Sequence, residues 1–437
     1  MLSGKLSQDI AWNLISFAVL AVSGVVVNFI IAATWGAAAL GVFNLVFAVY
    51  IVLSQVFTFG IHYSSLRHAA HYADEIDTLR VLASSAIVLG LIGGVAGGIF
   101  AKLAAPLAQL AFSSERVSAG IEWAAWGLLF FPLNKVLLGL ANGLRYMRFF
   151  AIAQATRYVA ILSWVGVTAL ASWTPEATLG AFAVSEALVT VLCLSYLVRG
   201  RRLPVGRPTR AWMHRHLSFG ARGMLAGMFV ELNSRVDVLL LGVFLTESAV
   251  GVYSFAAMLV DGYYAVLTAV RNNINPILVQ AIRDHDEAGL RRLLRNTRRI
   301  VYPVMAVLAV LLIAGLAAVV HWILPERGLA QSVPILAILL LGVWIASGII
   351  PMDNVLMQSG RPGWQTVQHA TLITANVIFN VALIPWLGLY GAAAGTALAF
   401  VAGVSALLYL ARRHAGIDML TGHFLAPSTA PRASPGE

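Results

Sequence analysis

Long apolar runs separated by short polar punctuation dominate the chain. Residues 10–66 contain no Asp, Glu, Lys or Arg, and neither do residues 362–411. A helix needs about 20 apolar residues to cross a bilayer, so each run holds two helices. Their turns are expected at "TWGAAALG" (34–41) and "PWLGLYG" (385–391). The same reading predicts twelve spans, near 10–34, 39–63, 81–101, 119–141, 149–172, 177–198, 218–244, 249–275, 301–323, 333–357, 366–387 and 389–411.

The Pro- and Arg-rich segment 199–217 divides these spans six and six. "ALGVF" (39–43) returns as "AVGVY" (249–253), an offset of 210. Pro132 returns as Pro351, and "LGAFA" (179–183) as "YGAAA" (390–394), at offsets of 219 and 211. Three matches in one order indicate an internal repeat. The chain therefore divides into a first lobe at 1–199, a basic linker at 200–217, a second lobe at 218–414 and a tail at 415–437. Six spans per lobe make the repeats parallel, related by a pseudo-two-fold axis along the membrane normal. Pro132 and Pro351 are expected to bend the fourth helix of each lobe, although prolines are frequent in membrane helices anyway. Gly90, Gly93, Gly94, Gly97 and Gly98, and the ladder Gly391–Gly395–Ala399–Gly403, suit close helix packing. The end, "APSTAPRASPGE" (426–437), reads as disordered.

Composition fixes the class. Of 437 residues 59% are hydrophobic and 11% charged, with mean hydropathy +0.83, against about 25% charged in soluble domains. The fold class is all-α integral membrane. The first apolar run exceeds a signal peptide's core of about 7–15 residues and reads as a retained span. Cys193 is the one cysteine, so neither a disulfide framework nor a Cys metal site is expected.

The net charge is +10, and its placement argues against nucleic acid. With the N-terminus inside, inner segments hold 21 of the 29 Lys/Arg, outer loops three (Lys102, Arg116, Arg327) and the spans five. That is the positive-inside distribution, placing both termini in the cytoplasm of an inner-membrane protein. The clusters at 199–216 and 283–299 then face anionic lipid. His68/His71 and His214/His216 fall on cytoplasmic loops without convergent carboxylates, as interface residues rather than metal ligands.

Charges inside the spans carry the chemistry. "ELNSRVDVLLLGVF" (231–244) contains Glu231, Arg235 and Asp237. At about 1.5 Å per residue, Glu231 lies near the midplane and the other two farther out. Glu231 and Arg235 share a helical face, whereas Asp237 points away from it. Lys135, Arg157, Glu186, Arg222, Asp261, Arg271 and Asp353 complete five cations and five anions at membrane depth. Each costs about 2.5–3.5 kcal/mol at a helix centre. Either they line a water-filled cavity, or they are structural ion pairs with arginines snorkelling to the surface.

No catalytic constellation, long outer loop or "GxxxxGK" is present, so neither an enzyme nor a nucleotide-driven pump is expected. No cofactor is implied. A proton or sodium gradient is the expected drive.

"VDVLLLGVFLTESAVGVYSFAAML" (236–259) resembles the polysaccharide transporter, or oligosaccharide (O-antigen type) flippase, family: an Asp, then "LG", then a loop ending "GxY". "ANVIFNVALIPWLGLYGAAAGTALAF" (375–400) resembles its C-terminal signature. The family lies in the multidrug/oligosaccharidyl-lipid/polysaccharide (MOP) superfamily. The resemblance implies two six-helix lobes, alternating access and movement of polyprenyl-diphosphate-linked sugars to the outer leaflet for cell-surface polysaccharide. Asp237 matches the family's acid. This chain has "AATWG" (32–36) where members often carry an Arg, and it lacks the extra pair of spans usual in lipid II flippases.

Phosphate suits Arg and Lys, so Arg235, Lys135, Arg157 and Arg271 are the expected cavity residues. Asp237, Glu231, Asp261 and Glu186 are the coupling-ion candidates. Expected partners are a lipid-linked oligosaccharide and membrane lipids, with a polysaccharide polymerase or glycosyltransferases beside it, and no nucleic acid. A cation-coupled multidrug or small-molecule exporter of the same superfamily is the alternative, and a non-transporting scaffold of glycan assembly a third.

Overall fold

The computed structural model describes residues 2–200 and 202–425. The tail at 426–437, expected to be disordered, lies outside the described residues. Lipid offers backbone N–H and C=O groups no water, so a spanning segment must satisfy them within itself, and the described chain is almost wholly helical. The helices are α1 (Leu2–Thr58), α2 (Ile61–His71), α3 (Ile76–Phe112), α4 (Glu115–Gly143), α5 (Met147–Leu170), α6 (Gly180–Cys193), α7 (Arg210–Phe244), α8 (Glu247–Arg283), α9 (Glu287–Ala318), α10 (Ser332–Ala346), α11 (Val355–Gln358), α12 (Pro362–Leu387) and α13 (Leu389–Leu410).

Among the described residues nine helices are long and apolar enough to cross a membrane, ten if the bent pair α10/α11 is one span. The twelve spans of the sequence reading differ from these at two places. The first two spans lie in α1, on either side of Gly36, whose φ of 83° and ψ of −175° break the helix. The seventh lies in α7, where Glu231, Arg235 and Asp237 interrupt the apolar run. Gly388, at φ 55°, makes the turn between α12 and α13. Both turns fall where the sequence places them. Pro351 sits in the break between α10 and α11, which are bent by 49°. Pro132, in contrast, lies inside an unbroken α4.

Contacts group the chain into two compact units, Met1–Ser254 and Phe255–Glu437. In the first, the glycines of α3 serve two neighbours. Added Cβ atoms on Gly90, Gly94 and Gly98 would meet α4 at Leu133 and Leu129, whereas Gly93 and Gly97 face Phe57 of α1. Helix α7 packs on α1, α2 and α3. The segment leading into it is tied down, with Gly206 N and Thr209 N donating to Ser84 and Ser85 Oγ at 2.7 and 3.0 Å. Only its first part is a loop, because α7 begins at Arg210.

The histidines expected on loops sit instead on helices. His216 on α7 is fully buried. Its Nε2 donates to Leu82 O at 3.1 Å, which leaves Nδ1 to accept from Ser64 Oγ at 2.8 Å. His68 donates from Nδ1 to Ser64 O at 2.8 Å and lies edge-on to His216 and Trp212. A helical spacing of four between Ser64 and His68 builds this staple, which loop assignments could not show.

In the second unit, the Gly391–Gly395–Gly403 ladder meets α12 at Leu383, Asn380 and Leu372. Trp344 Nε1 donates to Tyr302 O at 3.1 Å, joining α10 to α9. Part of the expected tail is ordered. Ile417–Asp418 and His423–Phe424 form an antiparallel pair, and Arg298 donates to the carbonyls of Met419 and Leu420. A guanidinium that satisfies two carbonyls holds this short hairpin on α9.

Two outcomes follow. Gly94→Ala, pressed against the Leu129 carbonyl, is expected to cost about 1–3 kcal/mol. Gly166→Ala, with nothing within 4 Å, is expected to gain about 0.5–1 kcal/mol; thermal unfolding in detergent distinguishes them. His216 precedes the predicted span, and burial lowers its pKa from 6.5 to about 4. A base depressed in the fold binds its proton more readily when unfolded. Its contribution is full above pH 6.5 and is lost as pH falls towards 4. Amide protection at 210–217, taken relative to the intrinsic exchange rate at each pH, should therefore fall across that window, and constant protection would contradict the assignment.

Candidate functional site

The first unit gathers most of its intramembrane charge in one neighbourhood. The second limb of α1 supplies Phe47, Tyr50 and Gln55. Helix α4 supplies Phe131, Asn134 and Lys135, α5 supplies Arg157 and Tyr158, α6 supplies Glu186, and α7 supplies Glu231 and Arg235. Their aromatic floor is continuous. Phe47 and Tyr50 stack on Phe182 at 5.7 and 5.0 Å, and Tyr50 meets Phe131 edge-on at 5.4 Å.

Arg157 and Glu186 form a buried ion pair. Their side chains are 10% and 1% exposed, with Nε 2.5 Å from Oε1. The carboxylate is further bound by Arg157 Nη2 at 3.1 Å and Asn134 Nδ2 at 2.8 Å. Thr190 donates to Asn134 Oδ1 at 2.9 Å, and Arg157 Nη1 donates to Gln154 Oε1 at 2.7 Å. Two opposite charges at this depth need such a shell, because their attraction alone does not offset desolvation. The pair ties α4, α5 and α6 together.

Lys135, the next residue along α4, turns towards α1 and donates from Nζ to Gln55 Oε1 at 2.5 Å. Glu231 acts electrostatically on Lys135, Tyr63 and Tyr158. Arg235 also acts on Tyr158, as helical spacing predicts for two residues on one face of α7. The Arg235 guanidinium lies 4.8 Å from the centre of the Phe47 ring. Such a contact is worth about 0.5–2 kcal/mol. Its Nε is buried with no hydrogen-bond partner among the described residues. Asp237 points elsewhere and accepts from Tyr253 Oη at 2.9 Å.

Arg271 and Asp261 belong to the second unit. Arg271 Nη1 donates to Asp353 Oδ2 at 2.7 Å, whereas Asp261 is exposed on α8. Asp353 follows Pro351 by two residues, as Asn134 follows Pro132. Each of these polar residues thus anchors an arginine-containing network inside its own unit. Arg222 lies exposed and donates to Ser218 O at 3.1 Å. Sequence reasoning missed Gln55, Asn134, Tyr158 and Tyr253. Gln55 had a signal, as a carboxamide in an uncharged run; the aromatics had none, since their neighbours are apolar too.

Among the described residues no group of three or more His, Cys, Asp or Glu is placed to hold a metal ion. Removing one partner of the buried pair should be costly. Glu186→Gln is expected to destabilise the first unit by about 3–5 kcal/mol, and Arg157→Met added to it to recover part of the loss. Unfolding midpoints of the single and double variants would settle this; equal midpoints for Glu186→Gln and the parent contradict it.

Comparisons with known proteins agree with this architecture. Residues 36–327 match the family described as "Polysaccharide biosynthesis protein". The probable flippase AglR of Haloferax volcanii is 28% identical over 204 residues, 45% of this chain and 41% of that protein. The matched region thus spans about two-fifths of that relative's length. A multidrug resistance MATE family transporter of the MOP superfamily, in an inward-facing conformation, superposes with a TM-score of 0.76 at 14% identity, covering 89% of this chain and 93% of that one. The lipid II flippase MurJ gives 0.75 at 14% identity, covering 92% and 87%. The named relatives are flippases and transporters rather than enzymes. The chain belongs to the polysaccharide biosynthesis protein family and is a multi-pass membrane protein with the MOP superfamily fold.

Proposed function

We propose that this protein is a flippase that moves a polyprenyl-diphosphate-linked oligosaccharide from the inner to the outer leaflet by alternating access. The observation that carries the reading is Arg235, a guanidinium held over Phe47 with its Nε buried and unpartnered among the described residues. An unsatisfied cationic donor at membrane depth is costly unless a ligand completes it. Its fork geometry matches phosphate oxygens. Lys135 and Arg157 place two further cations in the same neighbourhood, with Arg157 committed to Glu186. Lys135 and Arg235 are then the groups left to follow the diphosphate.

Coupling falls to Glu231 and Asp237. Glu186 is engaged by Arg157 and Asn134, so its proton exchange would break a structural network. Asp261 and Arg271 act within the second unit. Charge asymmetry along the chain supports the orientation, with both termini cytoplasmic and the protein in the inner membrane. Polymerases and glycosyltransferases that supply or use the carrier are the expected neighbours.

Cells lacking the protein are expected to accumulate polyprenyl-diphosphate sugars and lose surface glycan, as read by lipid extraction and mass spectrometry. Arg235→Ala should reproduce that accumulation while reaching the membrane at parental level. Unchanged lipid-linked sugars in the deletion, with new sensitivity to organic cations, would replace this reading with the exporter.

A further inference from the structure

One end of the first unit is closed by a carboxylate and a pair of glycines, neither of which the substrate reading uses. Glu247 opens α8. Its Oε1 accepts from Ser114 Oγ, and its Oε2 accepts from Arg116 Nη1 at 2.9 Å. Arg116 Nε donates in turn to Glu176 Oε1 at 2.9 Å. Ser114 also caps α4, accepting from Val117 N at 3.1 Å. Three segments, the starts of α4 and α8 and the turn before α6, therefore meet on one side chain. Glu247 is 23% exposed and Arg116 36%, so water reaches the network without dissolving it. Charge-assisted bonds of this kind are the stronger class.

Directly beneath, the backbones of α1 and α8 touch. A Cβ on Gly41 would run into the Glu247 carbonyl and lie 2.9 Å from Gly251 N. A Cβ on Gly251 would run into the Ala37 carbonyl and lie 2.9 Å from Gly41 N. Such a crossing has large dispersion contact, and Val250, Val252 and Tyr253 of α8 are buried around it. At the two glycines themselves backbone meets backbone with no side chain between. The charged network sits one turn away, at the start of α8.

We infer that Glu247 is the latch of the end that the charge asymmetry places outside. Its bonds to Ser114 and Arg116 hold α8 against α4 and keep Gly41 on Gly251. Releasing them frees the start of α8 to part from α1. This rests on the flippase reading for its purpose, but not for its test.

The test uses the full chain with Cys193, which is buried, replaced by Ser, and Asn44→Cys as reporter. Asn44 lies three residues below Gly41 and is partly buried against Asn28. A membrane-impermeant maleimide is added from outside. Glu247→Gln is expected to raise the labelling rate about three- to tenfold, the scale of one ordinary hydrogen bond, because the Gln carbonyl oxygen still accepts. Arg116→Gln, which removes a bond from the other side, should do the same. Unchanged labelling in both variants overturns the latch. So does loss of both from the membrane, because a latch is dispensable for folding. Faster labelling in cells whose lipid-linked sugars never depended on the protein would keep the latch and reject the flippase reading.

Discussion

A charge carried into hydrocarbon must bring its partner with it, and the first unit is arranged around that requirement. Glu186 could not be almost wholly buried without Arg157, Asn134 and the hydroxyl of Thr190 behind Asn134. Because those groups come from three helices, satisfying one carboxylate also fixes how α4, α5 and α6 pack. Arg271 and Asp353 do the same service in the second unit. Arg235 is the contrast. An aromatic face, that of Phe47, steadies its guanidinium, whereas Arg157 and Arg271 are each held by a carboxylate.

Close backbone approach is the second condition. Helices in lipid gain nothing from hiding apolar surface from one another, so contact area decides. The α3 glycines show this most directly, since one helix presents two smooth faces, to α4 and to α1. The crossing of α1 and α8 at Gly41 and Gly251 is made from the same residue type.

Much of this was readable from the chain, for physical reasons. An uncharged run long enough for two spans forces a turn, and only glycine adopts the φ/ψ pairs found at Gly36 (83°, −175°) and Gly388 (55°, −131°) without strain. The α12–α13 ladder was visible as a four-residue period. Helical spacing alone put Glu231 and Arg235 on one face and Asp237 on another. Pairings between helices were not readable. Nothing local says that Arg157 belongs to Glu186, or Lys135 to Gln55, because the residues are 29 and 80 positions apart. His216 misled for a related reason: a basic, proline-containing stretch resembles a loop until Ser84, Ser85 and Ser64 are seen to receive it.

The meeting of Gly41 with Gly251 has a further meaning. Position 37 faces 251 and position 247 faces 41, so each partner sees what the other sees, residue for residue. A contact of that form is isologous, the kind a two-fold dimer makes. The 210-residue offset of the repeat carries 37 onto 247 and 41 onto 251, so the contact maps onto itself. Only the side chains break the symmetry: position 37 is an alanine and position 247 a glutamate.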